Sequence, residues 1–188
     1  QLFQEVWHHP DPEQRKKWRE AIRLEFKKMI AMGVWRKVGK EDIPTGRRLV
    51  GCKWVFKIKR NGVYRARLVA KGFSQIPGVD FTENYSPVVN DVTFRVVLTR
   101  MLIEDLDGVV VDIDNAFLNG DLEHEIYMKI PEGYQEVIDK HIDQGDGLKL
   151  QKSIYGLVQA TRQFWKNIIE KMWEAGFERS EADPCLMY

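Results

Sequence analysis

The first repeating pattern along the chain is that of an amphipathic helix. Asp11 is a suitable N-cap, Pro12 suits the first helical turn, and Gly33 is a suitable terminator. Between them, apolar residues recur at three- and four-residue spacing. The predicted apolar face consists of Trp18, Ile22, Phe26, Met29 and Ile30. We interpret this helix as a packing element without chemistry.

Residues 53–73 change to alternation on both sides of Asn61-Gly62, the strongest short signal for a β-hairpin. Trp54, Phe56 and Ile58 alternate with lysines on the first strand. The strands and the turn carry the cations Lys57, Lys59, Arg60, Arg65, Arg67 and Lys71. Two interpretations stay open: a solvated face that keeps an edge strand from aggregating, or a flap whose cations grip phosphates.

The central region predicts a loop, a helix and a buried strand. Residues 74–90 hold two prolines and one glycine and read as a loop. A helix is predicted for 91–104, with Asp91 as a possible cap and one apolar face. That face comprises Phe94, Val97, Leu98 and Met101. After the break at Asp107-Gly108, the β-branched run 109–111 predicts a strand that ends in carboxylates.

The last third predicts one strand, one long helix and the start of another strand. Asn119-Gly120 marks a turn, residues 125–130 alternate as a strand, and the polar residues 132–147 are expected to form a mobile loop. A helix is predicted near 158–175, with Gly176 after it. Its expected core pairs are Phe164-Trp165, Ile168-Ile169 and Met172-Trp173. The final DPCLMY resembles a strand just beginning, so we expect the chain to be a fragment.

Composition limits the possible classes of protein. Of the 188 residues, 44% are hydrophobic and 11% aromatic, which suits one large domain or two small ones. No apolar run approaches the roughly 18 residues of a membrane helix, and no signal peptide is visible. Cys52 and Cys185 lie far apart, and the four histidines lack zinc-ligand spacing. These features predict an intracellular, non-secreted protein with ordinary thiols.

The net charge of +1 conceals a marked asymmetry. Residues 36–80 hold 12 Lys or Arg against 3 Asp or Glu, whereas residues 101–150 hold 3 Lys against 13 Asp or Glu. Basic clusters commonly mark phosphate partners, and acidic clusters bind cations or face water. A basic region beside an acidic one suits a site where a metal ion meets a polyanion.

Residues 109–122, VVVDIDNAFLNGDL, concentrate the candidate chemistry. Burying a carboxylate costs several kcal/mol unless something compensates, so a buried strand ending in Asp112 needs an explanation. One explanation is an ordinary solvated strand end. The other is a metal site, in which Asp114 shares the strand face of Asp112 because residues i and i+2 point the same way.

Several motifs occur in the order of one known family. They are WVFKIKRNGVYRARLVAKGF, TENYSPVV, VDIDNAFLNGDL with IYMKIPEG, KSIYGLVQATRQFW and GFERSEADPCL. Together they resemble the reverse transcriptase of copia-type LTR retrotransposons, encoded within their Pol polyprotein, from about Trp18 to Tyr188. The resemblance implies an α/β (α+β) right-hand polymerase fold, with fingers and an incomplete palm that stops before the Tyr-x-Asp-Asp strand. It implies fingers at 1–87, palm at 88–119, a fingers return segment at 120–157 and palm again at 158–188.

The resemblance also implies roles for individual residues. Asp112 is similar to a catalytic metal ligand, with the Ile113 carbonyl as a second contact for Mg²⁺, or alternatively Mn²⁺. Asn115 and Ala116 resemble the residues whose N–H groups meet a triphosphate, and Phe117 matches an aromatic gate that excludes a ribose 2′-hydroxyl or is otherwise a core ring. The further implied nucleotide-binding residues are Arg60, one of Arg65 or Arg67, Lys71, Tyr155, Gly156 and Gln159. Tyr155 is alternatively a core residue, and Asp114 is expected to be solvated or close to phosphate.

The chain departs from the family pattern in three ways. Val158 stands where the family has a cation, Thr161 stands for a proline that starts the long helix, and the Tyr-x-Asp-Asp segment is absent. The expected activity is RNA-directed DNA synthesis by two-metal nucleotidyl transfer, with this fragment alone inactive. Expected partners are an RNA template, a DNA primer, deoxynucleoside triphosphates and the rest of Pol, within cytoplasmic virus-like particles and not at a membrane. The alternatives are a non-catalytic nucleic-acid-binding relic and an unrelated metal-dependent nuclease.

Overall fold

The computed structural model describes residues 2–188 and has a mixed α and β architecture, as predicted. The helices are α1 (Phe3–Trp7), α2 (Pro12–Ala31), α3 (Asp91–Ile103), α4 (Tyr134–Val137) and α5 (Ala160–Glu174). The strands are β1 (Trp35–Val38), β2 (Cys52–Ile58), β3 (Tyr64–Ala70), β4 (Asp121–Lys129) and β5 (Gly147–Lys152). The division into fingers and palm, with its residue boundaries, stays a prediction.

Helix α2 confirms the first predicted element at both ends. The Asp11 carboxylate accepts hydrogen bonds from the backbone N–H groups of Glu13 at 2.8 Å and Gln14 at 3.2 Å, as an N-cap does. Gly33 follows the helix at φ +62°. Trp18, Ile22, Phe26 and Met29 are buried. Ile30 was predicted to join them and is 52% exposed, because it lies at the edge of the apolar face.

The predicted hairpin forms, with Asn61-Gly62 in its turn and β2 antiparallel to β3. Its apolar face packs on α2, where the Trp18 ring lies 4.5 Å from the Tyr64 ring and Phe26 lies 5.1 Å from Trp54, centroid to centroid. Residues directly opposite in an antiparallel pair share a face. The opposite face therefore carries the cations Lys53, Lys57, Arg65 and Arg67, which we call the basic face.

A second, three-stranded antiparallel sheet has the order β1-β5-β4. The sequence pattern predicted β4 but neither β1 nor β5, which are short and mix charged with apolar residues. Val50 joins this sheet to the hairpin region, since its N–H donates to the Tyr127 carbonyl at 2.8 Å and its carbonyl accepts from Lys129 N–H at 2.9 Å.

The prediction of a mobile loop over residues 132–147 is wrong in part. The segment contains α4, whose Tyr134 is buried against the ring of Phe26. Lys37 on β1 lies 3.0 Å from Asp139 and 3.7 Å from Asp146, and these ion pairs attach the rest of the segment to the sheet. The segment is mostly polar, so its sequence did not indicate that a buried side chain such as Tyr134 would hold it against the core.

The predicted strand at 109–112 is also wrong. Residues 105–113 have no regular structure, and Val110 is fully exposed. A strand forms only when its backbone groups find a partner strand, and no strand of residues 2–188 pairs with this segment. Helix α3 forms as predicted, but Asn90, not Asp91, caps it, by accepting from Val92 N–H at 3.0 Å. None of its side chains is buried, so its predicted apolar face has no cover within the described residues.

Helix α5 follows as predicted, and Gly176 after it adopts φ +91°. Of the expected core pairs only Ile169 is buried, and Trp173 is 55% exposed. The C-terminal segment makes a short antiparallel contact, with Glu178 N–H donating to the Tyr188 carbonyl at 2.8 Å and the reverse bond at 2.9 Å. Within residues 2–188, no helix is both long and apolar enough to cross a bilayer.

Candidate functional site

Residues Tyr155 and Gly156 dock on the end of the hairpin through their backbone. The Tyr155 carbonyl accepts from Ala70 N–H at 2.8 Å, and the Gly156 carbonyl accepts from Gly72 N–H at 3.1 Å. Gly156 has φ +87°, and a Cβ built there would lie 2.2 Å from the Ala70 carbonyl oxygen. Only glycine combines this conformation with so close an approach. The glycine thus brings the segment before α5 against β3.

Three sequence-predicted residues from different parts of the chain meet at this junction. The rings of Phe117 and Tyr155 form an edge-to-face pair, with centroids 4.9 Å apart and planes at 83°. The Arg67 guanidinium carbon lies 4.5 Å from the Tyr155 ring centroid. Phe164 on α5 flanks Phe117 on another side at 6.2 Å. All three predicted residues are only partly buried, as a binding surface requires.

Phe117 follows a left-handed residue that turns the chain sharply. Asn115 has φ +53°, and its carbonyl accepts from Leu118 N–H at 2.8 Å, which begins a 3₁₀ turn over residues 116–119. Asparagine is among the residues that tolerate this conformation best. Ala116 and Phe117 then line an open cleft of about 610 Å³. Its other walls come from the loop 84–88 and from Thr161, Phe164, Trp165 and Ile168.

The arginines of the hairpin separate into two environments. Arg65 and Arg67 both point from the basic face, since they are two residues apart on β3. Arg67 lies over Tyr155, whereas Arg65 lines a smaller cleft of about 180 Å³ with Lys28, Lys59 and Asp114. Arg60 is exposed in the hairpin turn, apart from the ring junction. Because Arg65 and Arg67 share the basic face, the strand register does not decide which of them contacts phosphate.

Glu25 is a carboxylate of the site region that sequence reasoning missed. It lies on α2 beneath the hairpin and accepts from Leu68 N–H at 3.3 Å. Burial raises the pKa of Glu25, while the Leu68 N–H and the charges of Lys28, Arg67 and Arg65 act in the opposite direction. Glu25 lies three residues after Ile22 and four before Met29, so its place on the apolar face of the helix was the signal that could have indicated it. Only the packing of α2 on β3 brings it under the arginines.

Lys71 belongs to a different cleft from the other predicted cations. This cleft of about 660 Å³ lies between the end of the hairpin and the residues after β4. Its basic residues are Arg48, Lys53, Lys71 and Lys129, with Glu132 as a carboxylate. Phe73 lines the same cleft and is 87% exposed. Cations beside an exposed aromatic ring are a typical surface for single-stranded nucleic acid.

Gln159 is buried within a network of amides and is not open to solvent. Its side-chain N–H donates to the Asp80 carbonyl at 3.0 Å, and its side-chain oxygen accepts from the Gln75 amide at 3.0 Å. The Gln75 side-chain oxygen accepts in turn from Val158 N–H at 2.8 Å. Both ends of the Gln159 amide are thus engaged in holding the loop 75–80. A direct contact with a nucleotide stays a prediction.

The predicted metal ligands are only a partial set. Asp112 and Ile113 offer a carboxylate and a carbonyl, which are the hard oxygen donors that Mg²⁺ prefers. Among residues 2–188, however, no group of three or more His, Cys, Asp or Glu side chains converges on one point. Asp114 lies instead in the cationic cleft beside Arg65. The donors fit a magnesium ion in kind, and they need further carboxylates to complete a site.

Asp183 is a second buried carboxylate that sequence reasoning missed. It is buried, and it accepts from Asn90 N–H at 2.9 Å and from Cys185 N–H at 2.8 Å. The Thr93 hydroxyl and these two N–H groups hold the pKa of Asp183 below its ordinary value. This carboxylate joins the start of α3 to the segment after α5. Nearby Cys185 and distant Cys52 are free thiols, and burial raises the pKa of Cys52 to about 11.

Comparison with known proteins gives consistent results. The family described as Reverse transcriptase (RNA-dependent DNA polymerase) matches residues 33–188. The chain is 39% identical over 191 residues to the retrovirus-related Pol polyprotein from transposon TNT 1-94 of Nicotiana tabacum. This match covers 99% of the chain and 14% of that polyprotein. No solved structure matches significantly.

Two further relatives come from Arabidopsis thaliana, the retrovirus-related Pol polyproteins from transposons RE2 and RE1. Each is 36% identical over 176 residues, covering 90% of the chain and 12% of the polyprotein. The chain therefore spans about one-seventh or less of the length of these relatives. The family match covers most of the chain, and the ordered motifs agree with it. The chain belongs to the reverse transcriptase (RNA-dependent DNA polymerase) family, as a reverse transcriptase domain of the copia-type retrotransposon Pol polyproteins.

Proposed function

We propose that the chain forms the part of a Pol reverse transcriptase that selects the incoming nucleotide and holds the template. The whole enzyme would copy retrotransposon RNA into DNA, with a DNA primer, deoxynucleoside triphosphates and the remaining Pol segments as partners. One observation carries this proposal: Arg67 of the hairpin and Phe117 each lie within 5 Å of the centroid of the Tyr155 ring. Three motifs far apart in sequence thus converge on one ring, and this convergence supports the proposal of a nucleotide site.

The proposed roles follow from chemistry and exposure. Arg60, Arg65 and Arg67 would offer charge to a triphosphate, because guanidinium groups match phosphate oxygens geometrically. The N–H groups of Asn115 and Ala116 would approach the same group, and Phe117 would lie beneath the sugar. Gly156 would act by bringing Tyr155 to the hairpin. Lys71 fits template phosphates better than the triphosphate, because it lies in the separate basic cleft with Phe73.

The metal role is proposed for Asp112 and Ile113, together with carboxylates of the family's Tyr-x-Asp-Asp segment. When bound, Mg²⁺ or Mn²⁺ ions would stabilise the attacking and leaving oxygens of nucleotidyl transfer. This chain's own contribution would be one carboxylate and one carbonyl next to the sharp turn at Asn115. The exposed position of Asp112 suits this role, since its carboxylate is open to an approaching metal ion.

The decisive experiment uses a chain extended through the downstream segment of its own polyprotein. Asp112→Asn preserves shape and removes the charge, so nucleotide incorporation on a primed RNA template should fall by several orders of magnitude. Asp114→Asn is the matched control and should be much milder, because Asp114 lies among cations in another cleft. An Asp112→Asn enzyme within about tenfold of wild type, about 1.4 kcal/mol, would refute the metal role.

A second candidate function is nucleic-acid binding without chemistry. The observation that favours it is that residues 2–188 contain the basic face but no group of three or more potential metal ligands. Both functions require RNA binding that weakens steeply with salt. The two functions differ in whether a nucleotide is added to the primer. If the extended chain binds primed RNA but adds no nucleotide even with Mn²⁺, the binding module is the correct conclusion.

A further inference from the structure

Phe117 is only partly buried, so part of its ring depends on contacts at the edge of the core. Part of its ring packs against the core, and the remainder lies along the open cleft of about 610 Å³. On the cleft side the ring has edge-to-face contacts with Tyr155 at 4.9 Å and Phe164 at 6.2 Å. Side chains without such neighbours exchange rotamers freely. A group that restrains Tyr155, the nearer of the two rings, consequently also restrains the cleft side of Phe117.

Strand β3 fixes Tyr155 in two independent ways. Ala70 N–H holds the Tyr155 backbone at 2.8 Å, and Arg67 covers the face of its ring at 4.5 Å. A guanidinium over an aromatic face within about 6 Å is an attractive cation–π contact. No ion pair within residues 2–188 includes Arg67, and the Glu25 carboxylate, which senses its charge, is engaged by Leu68 N–H.

We propose that Arg67 and Tyr155 are positioning residues for Phe117, so that the hairpin sets how strongly the site rejects a ribose 2′-hydroxyl. This inference rests on the proposed role of Phe117 as a sugar gate. Arg67 holds the Tyr155 ring, the Tyr155 edge holds Phe117, and Phe117 stands beneath the sugar. Loss of the guanidinium frees Tyr155 to rotate, and Phe117 then shifts toward the open cleft. The space for a 2′-hydroxyl increases without any change at Asp112.

The test measures kcat and KM for dGTP and GTP on a primed RNA template, in the chain extended through its own downstream segment. Arg67→Gln should lower the preference for dGTP by about fivefold or more, because small displacements at a reacting centre have large effects on rate. In a Phe117→Val background, Arg67→Gln should have no further effect on that preference. Arg19→Gln is the matched control, since Arg19 also covers an aromatic ring, Trp7 at 4.8 Å, but lies outside the site.

The alternative role of Arg67, binding the triphosphate only, gives a different result. Arg67→Gln would then raise KM for dGTP and GTP by the same factor and leave the preference unchanged, which overturns the inference. A wild-type enzyme that incorporates neither nucleotide would instead remove the proposed function, and the inference with it.

A second measurement uses the 188-residue chain and needs no activity. Arg67→Gln and Phe117→Val do not alter adjacent groups, yet their effects on the unfolding equilibrium should be coupled by about threefold or more. The coupling should vanish when Tyr155→Leu is also present. Additive effects in the presence of Tyr155 would show that the ring does not transmit the contact, and would overturn the proposal.

Discussion

Gly156→Ala tests the junction on which the candidate site is built. Alanine at φ +87° is strained, at a cost of about 1–2 kcal/mol. Its Cβ would also lie 2.2 Å from the Ala70 carbonyl oxygen, so the segment must move off β3. The Ala70–Tyr155 and Gly72–Gly156 backbone hydrogen bonds would weaken with it, at about 1 kcal/mol each. The expected loss in the free energy of unfolding is about 3–4 kcal/mol.

Gly176→Ala provides the matched control. Gly176 has a similar φ of +91°, and no atom lies within 4 Å of the position of a built Cβ. Only the backbone strain applies, so we expect a loss of about 1–2 kcal/mol. Urea denaturation of both variants, followed by circular dichroism with comparison of the m-values, measures the difference. Equal losses for the two variants would contradict the close contact between Gly156 and β3.

Three further predictions concern the side chains of Gln159 and Asp183, which are buried, and of Cys52, which is partly buried. Gln159→Leu should lower the free energy of unfolding, measured by urea denaturation, by about 2–4 kcal/mol, because the Asp80 carbonyl and the Gln75 amide lose their partner in a buried network. Gln151→Leu is the control and should be nearly neutral, because Gln151 is exposed. The pKa of Asp183 is lower in the folded chain than its ordinary value of 3.8, so its ionised carboxylate stabilises the fold above pH 3.8. This stabilisation is lost as the pH falls toward the folded pKa. Wild type should therefore lose more stability between pH 5 and pH 3 than Asp183→Asn does. The pKa of Cys52 is about 11, against 9.0 ordinarily, so its thiolate is scarcer in the folded chain. In a Cys185→Ser background, its alkylation at pH 8 should be about 100-fold slower in the folded than in the unfolded chain. Equal rates would contradict the burial that raises this pKa.

The exposed apolar surface of α3 and residues 105–113 is the clearest difference between expectation and structure. Val109, Val110 and Val111 are at least 77% exposed, although their sequence is typical of a buried strand. The β-branched residues do favour an extended strand. Pairing decides whether that preference is realised, and within residues 2–188 no strand lies beside this segment.

Local physical chemistry allowed the sequence alone to determine several elements. Asp11 caps α2, Asn61-Gly62 turns the hairpin and Gly176 follows α5, because each depends only on neighbouring residues. The ordered motifs also identified the family, and the comparisons confirm that identification. Arg67, Tyr155 and Phe117 were already candidates from the motifs that contain them.

Tertiary structure decided which of these candidates meet, and in what state. The packing of the hairpin on α2 decides that the face carrying Arg65 and Arg67 is the one turned away from the helix, which alternation alone left open. Gly156 brings Tyr155 close enough for the contact between Arg67 and its ring, and the same fold engages Gln159 in a buried network. Glu25 and Asp183 each accept a hydrogen bond from the N–H group of a distant segment, Leu68 and Asn90 respectively, which only the tertiary structure supplies. Contacts between residues far apart in sequence depend on packing, which local patterns do not encode.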